Sequence, residues 1–253
     1  MRITVAGSGY VGLVAGACLA DTGNDVIGYD IDQAKVDALK EGNIPIFEPG
    51  LAELIVHNCR VGRLKFTTDL NVAMEHAEAV FICIGTAPLP DGSADLSGIE
   101  AFARDMGPAT RRPTVVAIKS TVPVGTGERV ERIIREGTKH TVHLISNPEF
   151  LKEGSAVQDF NRPERVVIGH EDEDAANVIR ELYLPFVRNN RPILMMRRKA
   201  AEMAKYACNG ILASRISFIN EIANLCERTD ADINDVRRGI GHDQRIGFSF
   251  LFP

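Results

Sequence analysis

The chain of 253 residues has no uninterrupted apolar run near the ~20 residues a helix needs to cross a bilayer. It has no surplus of positive charge either, since 29 Lys and Arg face 34 Asp and Glu. The basic clusters Arg111-Arg112, Arg197-Arg198-Lys199 and Arg237-Arg238 are short and scattered. They suit solvated faces and helix ends rather than a nucleic-acid surface. No membrane or nucleic-acid partner is therefore expected. Cysteine is sparse: Cys18, Cys59, Cys83, Cys208 and Cys226 are odd in number and show no Cys-x-x-Cys spacing. That points to reduced thiols and a cytoplasmic protein. The histidines form no metal-ligand constellation, with His140 and His143 flanking a strand start and His242 in the terminal segment, so no metal is expected. The chain shows no low-complexity linker and no repeat beyond a strand–helix rhythm. Strand character from residue 3 leaves no room for a signal peptide.

Hydrophobic content of 45% and charged content of 25% are those of an ordinary globular chain. At ~150 residues per domain the length suggests one or two. The most informative stretch is the first. An apolar run, Ile3-Thr4-Val5-Ala6, leads into Gly7-Ser8-Gly9-Tyr10-Val11-Gly12, then a small-residue helical segment, Gly23 as a stop, a second apolar run, and Asp30. Gly7 lets the chain turn out of the strand, Gly9 clears space for a pyrophosphate, and Gly12 lets helix and strand pack closely. The helix N-terminus presents free N–H groups and a positive dipole end to phosphates. Asp30 is placed to accept hydrogen bonds from a ribose, would repel a 2′-phosphate, and is followed by no Arg, so NAD is favoured over NADP. The expected cofactor set is Gly7, Gly9, Tyr10, Val11, Gly12 and Asp30, with Lys35 near enough to join.

Beyond Asp30 the pattern alternates, as in a parallel sheet covered on both faces. Helices are read at 33–40 and 51–58, strands at 64–67 and 79–84 with a helix capped by Asp69 between them, a strand at 114–119, a helix at 127–136, and strands at 143–146, 165–168 and 193–196, with a helix at 174–184. Residues 85–95 hold two prolines and two glycines and form a loop long enough to be functional. Residues 199–228 break the rhythm: with no Pro and only Gly210 they form one long helix of ~45 Å. It carries two apolar stripes, Leu212-Ile216-Ile219-Ala223-Cys226 and Ile211-Phe218-Ile222-Leu225, too wide an arc for one neighbour. A shorter helix follows at 232–238, then a glycine-punctuated loop over 239–253. The fold expected is α/β, a Rossmann-type doubly wound, mainly parallel sheet over 1–198. The long helix then opens an incomplete helical and dimerisation domain over 199–253.

Several stretches resemble the UDP-glucose/GDP-mannose dehydrogenase family of nucleotide-sugar dehydrogenases, in the family's order. They are Gly7 to Gly12, Ile84-Gly85-Thr86 with Asp91-Gly92-Ser93-Ala94-Asp95, Lys119-Ser120-Thr121-Val122-Pro123-Val124-Gly125-Thr126, Asn147-Pro148-Glu149-Phe150-Leu151-Lys152-Glu153-Gly154, Ala201-Glu202-Met203-Ala204-Lys205-Tyr206-Ala207-Cys208-Asn209, and Arg245-Ile246-Gly247. The run at 149–153 followed by Ser155-Ala156-Val157 leans towards the UDP-glucose branch over GDP-mannose or acetamido-sugar relatives. The resemblance implies oxidation of a primary alcohol to a carboxylate by two hydride transfers to NAD, through a cysteine-bound thioester. Lys205 would serve the alkoxide and Asn209 the oxyanion, both on one helix face. Glu153, with Thr121, would position and deprotonate the hydrolytic water. Thr86 and Thr121, at strand ends, would border the nicotinamide and its ribose. Glu149, Phe150, Leu151, Lys152, Arg245, Phe250 and Leu251 would hold the sugar and its phosphates, beside Glu153, Lys205 and Asn209.

The family's nucleophilic cysteine follows a Phe-Leu-x-Pro run, and this sequence ends at Phe250-Leu251-Phe252-Pro253. The expectation is an N-terminal portion of a longer enzyme, inactive alone and without the second Rossmann-like domain, that forms a homodimer through the long helix. Two rival classes stay open: a hydroxyacid or hydroxyacyl-CoA dehydrogenase, and a non-catalytic NAD-binding module. Plainer readings also stand beside particular residues. Glu149 and Glu153 are spaced for a solvated helix face, Cys83 suits inert core, and Cys208 suits passive packing despite Lys205 one turn away.

Overall fold

Short apolar runs rich in β-branched residues become the strands of one sheet. The computed structural model describes residues 1–187 and 191–252, so Pro253 of the terminal Phe-Leu-x-Pro run lies outside the described residues. The strands are β1 (Arg2–Ala6), β2 (Asp25–Tyr29), β3 (Leu64–Thr67), β4 (Ala79–Ile82), β5 (Thr114–Ile118), β6 (Val142–Ser146), β7 (Val166–His170) and β8 (Ile193–Arg197). They form an eight-stranded sheet in the order β3-β2-β1-β4-β5-β6-β7-β8. From β1 to β6 every pairing is parallel. β7 meets β6 antiparallel through Ser146 and Gly169, and β8 lies parallel to β7. The strand order reverses at β1 and β4, which leaves a crevice beyond their carboxyl ends, the ordinary ligand position in such sheets.

The helices are α1 (Tyr10–Asp21), α2 (Gln33–Lys40), α3 (Leu51–Arg60), α4 (Leu70–His76), α5 (Ser97–Ala109), α6 (Thr126–Gly137), α7 (Ala156–Asn161), α8 (Glu173–Tyr183), α9 (Arg198–Thr229) and α10 (Ile233–Gly241). One core layer packs Leu13 and Leu19 of α1, Ile55 of α3, Phe160 of α7 and Ile179 of α8 against Ile3, Val5 and Phe81. The other packs Met74 of α4, Phe102 and Met106 of α5, and Val130 and Ile134 of α6 against Val80, Ile82 and Val116. Helices on both faces make the sheet doubly wound. α1 is buried without interruption from Gly12 to Ala20, as a helix apolar all round must be.

The expected elements are present, with local differences. The β4 run ends at Ile82, so Cys83 and Ile84 lie just past the strand. α5 and α7 were not anticipated. Pro108 and two glycines obscure α5, although Ile99, Phe102, Ala103 and Met106 bury one helical face. α7, of 6 residues, is too short to show a period. Gly239 and Gly241 sit within α10 rather than in a loop. The pair β7–β8 runs against the others, because the connection from β6 is an irregular loop and a short helix instead of a regular crossover.

The chain divides into two compact units, Met1–Met203 and Ala204–Pro253, with the division inside α9. Within the second unit Arg215 donates to the Gly247 carbonyl at 2.9 Å, which ties the terminal loop to α9. The Phe248 ring packs closely against Gly241, where a Cβ would come within 2.4 Å of it, and meets the His242 ring edge to face. Among the described residues no helix is long and apolar enough to cross a membrane.

Candidate cofactor and active site

The turn from β1 into α1 forms a cradle in which a side chain would collide with backbone. Gly7 has φ of +98°, open to glycine but strained for other residues, and a Cβ there would stand 2.7 Å from the Cys83 carbonyl oxygen. At Gly12 a Cβ would lie 1.8 Å from the Gly7 carbonyl oxygen. Gly9 differs: among the described residues nothing lies within 4 Å of its missing Cβ. Gly9 is also the N-cap of α1 and offers no side-chain cap. The first N–H groups of the helix are thus left for an anion. The Ser8 hydroxyl is buried there with no hydrogen-bond partner among the described residues.

Asp30, one residue past β2, is buried and fixed from three sides. Its Oδ2 accepts the Ser8 N–H at 2.7 Å and the Lys35 ammonium at 3.1 Å, and its Oδ1 accepts the Asp32 N–H at 3.1 Å. Asp30 and Lys35 therefore meet, as the spacing suggested, and the bond from Ser8 locks the acid to the glycine turn. Sequence reading missed that role of Ser8, whose backbone carries no side-chain signal. A dinucleotide fits these residues: an open glycine at a helix N-terminus for phosphates, and an oriented carboxylate at the next strand end for a ribose.

At the neighbouring strand ends the Thr86 hydroxyl donates to the Thr121 carbonyl at 2.8 Å, and the Ser120 hydroxyl to the Ile84 carbonyl at 2.6 Å. The two expected threonines are thus brought together. Beneath them lies a buried cation. Lys119 donates to the Tyr183 hydroxyl oxygen at 3.0 Å and to Asn147 Oδ1 at 3.4 Å, with the Phe160 and Tyr183 ring centres each 5.6 Å away. Tyr183 in turn donates to Asn147 Oδ1 at 2.7 Å. Cys83 is buried, and burial, partly offset by Lys119, pushes its thiol up to about 12, consistent with inert core.

After β6, residues 147–155 form a loop, which removes the helix-face reading of Glu149 and Glu153. Glu149 folds back to accept the Leu151 N–H at 2.6 Å. Phe150 lies under the Arg165 guanidinium at 3.9 Å. Asp159 accepts the Lys152 N–H at 3.0 Å, and Glu153 is exposed. Sequence reading also missed Glu48, a buried carboxylate that accepts the Gly154 and Ala156 N–H groups. Glu202, one turn before Lys205, was given no role either. Its carboxylate accepts the Gly125 N–H at 2.7 Å and the Gly127 N–H at 2.8 Å, capping α6, which has no cap of its own. That uncapped glycine-rich start was the available signal.

In the second unit Lys205 and Asn209 lie on α9, Lys205 buried and Asn209 exposed. Arg245 is paired with Asp243 at 2.7 Å, a bond that lowers the Asp243 carboxyl and raises Arg245. Phe250 has φ of +59° and Leu251 is buried. Among the described residues no group of three His, Cys, Asp or Glu could hold a metal ion.

Comparison with known proteins bears on this arrangement. Residues 1–187 match the NAD-binding domain of the UDP-glucose/GDP-mannose dehydrogenase family, and residues 199–253 match that family's central domain. A UDP-glucose 6-dehydrogenase of Rhizobium meliloti is 52% identical over 255 residues, which cover 99% of this chain and 58% of that relative. The structure of a UDP-glucose dehydrogenase from Pyrobaculum islandicum superposes with a TM-score of 0.94 at 41% identity, covering 98% of this chain and 58% of that one. A GDP-mannose dehydrogenase of Pseudomonas aeruginosa, solved as a ternary complex, gives 0.91 at 35% identity over 97% of this chain and 57% of the other. The chain thus spans well under two thirds of the length of these relatives.

Proposed function

The chain belongs to the UDP-glucose/GDP-mannose dehydrogenase family, and from that premise we propose that it carries the NAD-binding half of an enzyme oxidising the C6 alcohol of UDP-glucose to UDP-glucuronate. The cofactor is NAD, to which the family's first domain is devoted, and when bound it supplies the hydride acceptor. The observation that carries the reading is the Asp30–Ser8–Lys35 lock beside the open Gly9, within one sheet edge of the Thr86–Thr121 pair. UDP-glucose is preferred over GDP-mannose because relatives bearing that name reach 52% identity against 35% for the GDP-mannose enzyme.

In this proposal Lys205 stabilises the substrate alkoxide and Asn209 the oxyanion, as preorganised donors do. Glu153 takes the proton of the hydrolytic water, with Thr121 orienting it. Its exposure in a loop leaves it accessible to water, and Glu149 holds that loop's turn at Leu151. Glu149, Phe150, Leu151, Lys152, Arg245, Phe250 and Leu251 contribute to the nucleotide-sugar site. None of the five cysteines is assigned as nucleophile: Cys18 and Cys83 are buried with thiols pushed up to about 12, burial also raises the half-buried Cys59, Cys226 is buried, and Cys208 sits half-buried on α9. A cytoplasmic location and self-association through α9 complete the reading. Calorimetric titration with NAD and NADP tests it; the chain is expected to bind NAD more tightly, and Asp30→Ala to weaken NAD while relaxing the bias. Equal affinities in the parent chain would overturn the assignment of Asp30.

A further inference from the structure

Glu48, between α2 and α3, takes no part in the chemistry assigned above, yet two segments distant in sequence meet on it. It is 4% exposed. Its Oε2 accepts the Tyr10 hydroxyl at 2.5 Å and the Gly154 N–H at 2.9 Å, and its Oε1 accepts the Ala156 N–H at 2.8 Å. The Tyr10 hydroxyl also lies 3.2 Å from the Lys152 carbonyl. A buried carboxylate is costly unless its lone pairs are filled. Here burial, the largest influence, acts to raise Glu48, but the bonds from Tyr10, Gly154, Ala156 and Val157 outweigh it and hold the carboxyl below its ordinary value. Tyr10 moves the other way: burial first, then Glu48, pushes its hydroxyl up. Each partner keeps the protonation state that the bond requires.

The plain role for such a glutamate is to cap α7, and the bond from Ala156 accounts for that. It does not account for Tyr10 or Gly154. Tyr10 is the first residue of α1, directly after Gly9, where phosphates approach; Gly154 directly follows Glu153. We propose that Glu48 is a positioning residue that couples dinucleotide occupancy at the start of α1, through the Tyr10 hydroxyl, to the placement of the 149–154 loop and hence of Glu153. The inference rests on the NAD and Glu153 reading given above.

The test follows hydrogen exchange at the Gly154 and Ala156 amides with and without NAD, together with NAD affinity and melting temperature. It uses the 253-residue chain, Tyr10→Phe, Glu48→Gln and the double variant. In the parent chain NAD is expected to slow both amides. Tyr10→Phe deletes one hydroxyl and leaves the loop's own bonds to Glu48; it should weaken NAD on the order of tenfold, the scale of one charge-assisted hydrogen bond, and abolish the NAD-dependent slowing while the chain melts near the parent. The double variant should bind NAD no worse than Glu48→Gln, because both changes cut one link. A purely structural Glu48 would instead leave NAD-dependent slowing intact in Tyr10→Phe, and that result overturns the inference. A parent chain that binds NAD without any change at the two amides also overturns it, alone. A parent chain that binds no NAD overturns the underlying reading and the inference with it. If Glu48→Gln fails to fold, Tyr10→Phe still decides.

Discussion

Gly9 and Gly12 stand three residues apart in one motif, and the structure assigns their replacement by alanine to different costs. At Gly12 the added methyl would sit 1.8 Å from the Gly7 carbonyl oxygen and 3.3 Å from Cys83 Cβ. Backbone cannot rotate away, so α1 must retreat from β1. A contact this short with backbone puts the overpacking cost in the upper part of the usual range, about 2–3 kcal/mol or more, against roughly 1 kcal/mol regained from helix propensity. The net loss of about 1–2 kcal/mol or more corresponds to a Tm fall of roughly 2–8 °C for a chain of this size. At Gly9 the methyl meets nothing within 4 Å, and φ of -83° with ψ of -167° is ordinary extended backbone. A small gain from the unfolded state and a small loss of N-cap preference nearly cancel, leaving Tm within about 2 °C of the parent. The methyl does fill the space a pyrophosphate needs, so NAD affinity should fall at least about tenfold. Thermal melts without ligand and calorimetric titration of both variants separate the two costs. Gly9→Ala binding NAD like the parent, or Gly12→Ala melting like it, would refute the division of labour.

Acid should act on Glu48. Its carboxyl lies below the ordinary 4.5, so its stabilisation is complete above about pH 4.5 and drains as pH falls through the lower folded value; Glu48→Gln should be less stable at pH 7 yet lose less between pH 5 and 3, and an acid slope equal to the parent's would count against it. The 253-residue chain mixed with NAD and UDP-glucose should show no steady NADH production at 340 nm; production at two per sugar would make Cys208 an unexpected nucleophile. On α9, Ile211, Phe218 and Leu225 recur every seven residues and are 61%, 56% and 54% exposed. Side chains of this kind gain roughly 1.5–3 kcal/mol each on full burial, so light scattering should report a self-associated parent and a monomeric Phe218→Glu, Leu225→Glu variant; a monomeric parent would end the idea.

The parts of this fold that were legible from sequence are those governed by local chemistry. The strand, glycine turn, helix and acid from Ile3 to Asp30 announce themselves because each residue type answers a constraint within a few positions, and the two threonines are marked by their place after apolar runs. Strand direction is another matter. Nothing in 166–170 distinguishes a strand parallel to β6 from one antiparallel to it, since buried strands of either sense read as apolar runs. Convergent contacts were equally hidden. Glu48 lies 38 residues from Tyr10 and 106 from Gly154, and only the folded chain shows that one carboxylate serves both segments. Glu202 is a similar case, a helix residue whose function is to cap a different helix 75 residues away. Both are acids meeting backbone N–H groups, and such donors leave no trace in the side-chain pattern. The half-hidden class can still be sought by elimination: a glycine-rich helix start without a cap, as at Gly125 and Gly127, or a loop flanking a proposed base, as at Gly154, implies a missing acceptor somewhere in the chain. In this chain the acceptors are Glu202 and Glu48, and only the folded structure picks them out from the other acids.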